Sequence, residues 1–137
     1  MKPNLVLGVL IAFFLNLFWE ISHSLLYNWN NLPLQNNIYY YIPKILWASL
    51  VDAFYVFVIL LLLIWSKKIK NKDYVITFSV GLFIAFVIEI RALYLELWSY
   101  NQYMPTFFGI GVTPLLQLAT TGVITLYILK KIYKFSN

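Results

Sequence analysis

The sequence predicts an all-α integral membrane protein, a four-helix bundle with its N-terminus and C-terminus both in the cytoplasm. Three observations carry that expectation. The 137 residues are 62% hydrophobic and only 11% charged, where a soluble domain carries about 25% charged residues. The apolar residues fall into four segments, each near the roughly 20 residues that a spanning helix needs. The lysines cluster on alternate connections, and that asymmetry orients a membrane protein.

The spans are expected at 5–27, 45–65, 74–98 and 107–129, and together they make one domain. The first follows Lys2 and so resembles the start of a signal peptide. Its apolar run is too long for one and no small-residue cleavage site follows, so it is expected to be retained. Residues 28–44 are polar and uncharged until Lys44; the stretch 28–41 is aromatic and is expected to lie along the outer interface. Pro43 is expected at the start of the second helix and Pro105 just before the fourth, because proline suits a first helical turn. The second connection holds Lys67, Lys68, Lys70 and Lys72, and the tail holds Lys130, Lys131 and Lys134. With Lys2 these eight lie on one side, against Lys44 on the other. The lysine-rich side is expected to be cytoplasmic. Trp29, Tyr39, Trp98, Tyr100 and Tyr103 mark the outer boundary, and Trp65, Tyr74 and Tyr133 the inner one.

Composition also excludes functions. The chain has no cysteine, which removes disulfides, thiolate metal sites and thiol redox chemistry. One histidine excludes a haem held by two histidines of this chain. The net charge of +5 comes from lysines beside apolar spans and does not indicate nucleic acid. No cofactor is implied.

Charged side chains inside spans are costly and mark function by default. Four carboxyls fall there: Glu20, Asp52, Glu89 and Glu96, with His23 and Arg91 beside them. Counting from the outer span ends at 1.5 Å per residue, Glu20, Asp52, Glu89 and Gln117 all lie roughly 10–15 Å deep. Four helices thus bring polar groups to one layer in the outer half, while the cytoplasmic half reads as nearly all apolar. Helical spacing supports convergence. Asn16, Glu20, His23 and Tyr27 share a face of the first helix, as do Ala48, Asp52 and Tyr55 on the second. Ala85, Glu89, Ala92 and Glu96 share one on the third, and Thr113, Gln117, Thr120 and Ile124 one on the fourth. Arg91 points about 200° away from Glu89, along a flank towards Asp52 or Glu20. Pro114, with Gly109 and Gly111, is expected to bend the fourth helix at the polar layer. Some of these residues, Asn16 and Thr120 among them, suit plain helix-to-helix hydrogen bonding. Glu20-x-x-His23 is half of the carboxylate–histidine motif that binds two metals in bundles; the second half is missing, and no metal site is assigned.

The segments FWEISHSLLY (18–27), Asp52, EIR (89–91), LWSYNQYMP (97–105) and GVTPLLQL (111–118) resemble a widespread family of small four-span bacterial membrane proteins. That likeness covers most of the chain and implies the fold and a bacterial or archaeal inner membrane, without a mechanism. More distantly, the layout is similar to the EXPERA superfamily of sterol isomerases and the sigma-2 receptor, where embedded carboxyls, a histidine and aromatics surround an apolar ligand. It also resembles membrane lycopene cyclase domains, although Leu116 and Gln117 stand where those carry paired glutamates.

The leading expectation is therefore an outer-leaflet pocket for a lipophilic, isoprenoid- or sterol-like molecule, in an isomerase or cyclase with Glu20, Asp52 and Glu89 as acid/base groups. Asn16, Trp19, His23, Arg91, Glu96, Trp98, Tyr100 and Gln117 would bind substrate, the aromatic faces stabilising positive charge. The alternatives are a proton-coupled transporter of a cationic substrate and an accessory subunit of a larger membrane complex. Partners are membrane lipids, the ligand, and a further copy or a larger complex.

Overall fold

The computed structural model describes residues 4–28, 38–65 and 72–135. Four helices dominate: α1 (Leu5–His23), α2 (Ile38–Trp65), α3 (Lys72–Tyr94) and α4 (Val112–Phe135). Each contains a stretch long and apolar enough to cross a membrane. The only strands among the described residues are β1 (Thr106–Phe107) and β2 (Ile110–Gly111), paired antiparallel.

Local chemistry sets the ends of these elements. Asn4 caps α1, its side chain accepting from the amides of Val6 (3.0 Å) and Leu7 (3.4 Å). After His23 the chain tightens into a 3-10 turn, Ser24–Leu26, and then runs extended. There Tyr27 bridges Tyr100, Asn28 N–H donates to Ser99 O (2.8 Å) and Asn101 N–H to Leu26 O (2.9 Å). The segment after α1 is thus stitched to the segment after α3. We call this the hairpin end of the bundle, and the opposite one the terminal end.

All four expected spans have different helical limits, the first ending as an α-helix at His23. The third is helical only to Tyr94. Leu97 N–H closes on Ala92 O (2.9 Å) and Glu96 N–H on Leu93 O (3.2 Å), a Schellman cap with Glu96 in the left-handed position at φ 53°. Glu96 therefore leaves the face it was expected to share with Ala85, Glu89 and Ala92. The fourth helix starts at Val112, because 106–111 form a hairpin whose turn residues Phe108 (φ 50°) and Gly109 (φ 80°) both have positive φ, the type I′ pattern. Pro114 consequently sits in the first turn of α4, where its absent N–H needs no partner, and not at the interior position where proline bends a helix. Conversely, α2 begins at Ile38, so Pro43 lies inside the helix and leaves the Tyr39 carbonyl without its usual donor. The interface expected for 28–41 falls largely outside the described residues.

Packing is tight along α1–α2 and α3–α4, intermediate between α1 and α4, and sparse between α2 and α3. The buried face of α3 runs Asp73, Thr77, Gly81, Ala85, Glu89, Ala92. A Cβ on Gly81 would lie 2.8 Å from Ala119 Cα, so the α3 and α4 backbones nearly touch there. The apolar core, with Val56, Leu60, Leu126 and Leu129, fills the terminal half. That half is not purely apolar, however. Asp73, Thr77, Thr121 and Thr125 are buried in it. The threonine hydroxyls donate to carbonyls one turn back on their own helices, at 2.7–2.8 Å, which makes their burial cheap. The inner face of α4 accordingly runs Gln117, Thr121, Thr125, and not through Thr120, which is half-buried, or Ile124, which is exposed.

Candidate functional site

The spacing Asn16–Glu20–His23–Tyr27 does line one face of α1, and it meets Gln117 of α4. The Gln117 side-chain amide lies 2.6 Å from Asp52 Oδ2, 2.9 Å from Glu20 Oε1 and 3.3 Å from Asn16 Oδ1. Asn16 is fixed by donating to Ala12 O (2.9 Å), and its Oδ1 also accepts from the Thr121 hydroxyl (3.1 Å). One NH2 has two hydrogens for three acceptors. Glu20 and Asp52 thus converge on one donor, the Gln117 amide, an arrangement suited to a proton shared between the two carboxyls.

Glu89 occupies a different setting. Its Oε2 accepts from the indole of Trp98 (3.3 Å) and from the hydroxyl of Tyr100. Two donors on one oxygen suit an ionised carboxylate. Tyr100 lies outside the four helices, and its phenol is raised above its ordinary value, first by burial and then by the bond to Glu89. It therefore stays a donor throughout the neutral range. Gly111 lets this ring approach: a Cβ there would lie 3.0 Å from Tyr100 Cζ. The Tyr27 ring packs against Tyr100 (centroids 5.6 Å apart), Trp98 (6.1 Å) and His23 (5.3 Å).

Beside these groups is a cavity of about 1070 Å³, lined mainly by apolar side chains. Glu20, Asp52 and Gln117 reach it from α1, α2 and α4, and Glu89 from α3. Glu96 and Trp98 line it too, as do Lys44, Ser24 and Asn28 near its hairpin end.

The other expected site residues stand apart from the cavity wall. Asn16 acts through Gln117, and Tyr100 through Glu89. The Trp19 indole donates to Thr113 O (3.2 Å) and ties α1 to α4. Arg91 is exposed and makes no ion pair among the described residues, so it is not turned to Asp52 or Glu20. His23 is buried, with Nε2 3.7 Å from Glu20 Oε2, too long for a hydrogen bond, and its Nδ1 has no hydrogen-bond partner. Among the described residues no three of these side chains gather as a metal-binding set. Tyr27, Thr121 and Lys44 were not singled out as site residues. Tyr27 was legible as the fourth member of the α1 face, and Thr121 as the residue one turn beyond Gln117.

No protein-family model, curated protein or solved structure matches the chain.

Proposed function

We propose that the chain is a multi-pass membrane protein whose hairpin-end cavity, in the outer leaflet, holds a lipophilic molecule of isoprenoid or sterol type, and that Glu20, Asp52 and Glu89 act on it as acid and base. One observation carries this reading: carboxyls from three helices border one mostly apolar cavity, and they are held in two different hydrogen-bonding states.

The division suggests a double-bond isomerase. The Glu20–Asp52 pair gives its proton to one alkene carbon. The resulting cation is held against the Trp98 and Tyr27 faces, and Glu89 takes a proton from the carbon on the far side of the cationic centre. The double bond moves, nothing is oxidised or reduced, and a proton returning from Glu89 to the pair resets the site.

The test is lipid extraction from the purified protein, followed by mass spectrometry. A neutral isoprenoid or sterol should be enriched in the wild type and lost when Ala48→Trp or Ala85→Phe fills the cavity. In deuterated water the bound lipid should gain deuterium in the wild type and not in Glu89→Gln. A folded protein that enriches no such lipid would overturn the proposal.

A further inference from the structure

A cavity inside a bundle is reached either from water at its end or from the side. Around this bundle the contact ring is uneven. α1 packs along α2, α4 along α3 and α1 on α4, while α2 and α3 touch only sparsely. The cavity lies at that open edge. Its α2 wall runs from Pro43 to Asp52 and its α3 wall from Ala85 to Leu93. The two walls face each other over the gap, and Glu20, Gln117 and Leu118 close the back from α1 and α4.

The lips of the gap are apolar. Trp47 on α2 is 69% exposed and Leu97, just beyond α3, 56%; both border the cavity, with Val51 and Ile88 behind them. Water is a poor medium for such lips, and hydrocarbon a good one. On the α1–α3 side, by contrast, the hairpin end is stitched shut by the pairing of 26–28 with 99–101 and by Asn101 Nδ2 donating to Leu25 O (2.7 Å). Three polar members of the lining, Lys44, Glu96 and Ser99, lie at the hairpin end of the gap. A small polar head can rest there while an apolar chain runs in between the helices.

We propose that the cavity fills sideways, through the gap between α2 and α3, with a single alkyl or isoprenoid chain drawn from the surrounding leaflet. This rests on the membrane-spanning reading above and deepens it. The substrate is a molecule already dissolved in the bilayer, carrying at most a small polar head, and not a water-borne metabolite.

The chain has no cysteine, so engineered thiols report cleanly. In a protein whose only tryptophan is Trp98, the others being replaced by Phe, phosphatidylcholine with brominated chains should quench the fluorescence in reconstituted vesicles. Joining Val51→Cys to Ile88→Cys with a short bifunctional maleimide, applied to the folded protein, should cut that quenching several-fold. A protein whose only tryptophan is Trp47, on the outer lip, should be quenched with or without the cross-link, which shows that the vesicles present the lipid. Quenching of Trp98 that is unchanged by the cross-link would overturn the proposal, as would quenching by aqueous acrylamide but not by brominated lipid. The two readings fail separately. Lipid that co-purifies although brominated chains never reach Trp98 removes the gap and keeps the pocket. Gated quenching without any enriched lipid keeps the gap and removes the isomerase.

Discussion

The two ends of this bundle are made from the same four helices and solve opposite problems. At the terminal end the helices approach closely over small residues: Gly81 lies on Ala119, Gly122 on Thr77 and Gly8 on Leu129. Thr77 and Thr125 there donate to carbonyls of their own helices, and Thr121, nearest the middle, reaches both its own helix and Asn16 of α1. At the hairpin end α2 and α3 separate, Gln117 bonds across to α1 and α2, and the space between the helices stays open. The closed half holds the open half in shape. The cross-helix bonds of the open half hold the carboxyls in place.

The largest effect is expected where backbones meet. In Gly81→Ala the new methyl would lie within 2.9 Å of Ala119 N, Ala119 Cα and Leu118 C, all main-chain atoms that cannot swing aside. Overpacking of this kind costs about 3 kcal/mol at the upper end of its range, read as a fall in thermal midpoint in detergent. The corresponding change at the open end, Ala85→Gly, should cost about 1 kcal/mol. Equal losses would mean that the two ends are equally packed.

Next comes Gln117→Leu, which strips the donor from Glu20, Asp52 and Asn16 together. Leaving buried acceptors without a partner costs about 2 kcal/mol. Asp52→Asn should be far milder, because an amide accepts from Gln117 and donates to Glu20 without needing the shared proton. Severe loss in Asp52→Asn would make Asp52 an obligatory anion and remove the proton-holding pair.

The sequence announced the terminal half poorly and the carboxyl layer well. Buried carboxyls in long apolar runs stand out, and the α1 face was readable from spacing alone. Asp73 was hidden among lysines, and its burial follows from α3 starting at Lys72, a boundary that composition does not mark. Helix limits near the aromatic residues misled for a related reason. Residues 95–98 and 107–111 are apolar enough to continue a span, but the backbone turns at Glu96, Phe108 and Gly109. Only Gly109 advertises a positive φ. Glu96 pays for its left-handed cap, so Glu96→Gly should stabilise the protein by about 1 kcal/mol, seen as a raised midpoint. No gain would mean that the carboxylate at the cavity rim contributes as much as the strain costs.

The smallest effect concerns pH and separates the two ends once more. Burial, and then the bond to Glu89, hold the Tyr100 phenol above its ordinary value, which is about 10. A group whose folded value is raised gives stability that is complete below its unfolded value and is lost as pH rises past it. The wild type should therefore weaken from about pH 10 upward, as the phenolate forms beside a carboxylate. Tyr100→Phe loses one hydrogen bond, costing about 1 kcal/mol near neutrality, but it has no phenol to titrate there. Its stability curve should converge on that of the wild type as the pH rises. Gly81→Ala, which acts at the closed end, should instead run parallel to the wild type at every pH. Denaturant midpoints for the three proteins across the alkaline range make the measurement. If the Tyr100→Phe curve also stays parallel, the Tyr100–Glu89 contact contributes nothing to folding, and the two-donor setting of Glu89 loses its support.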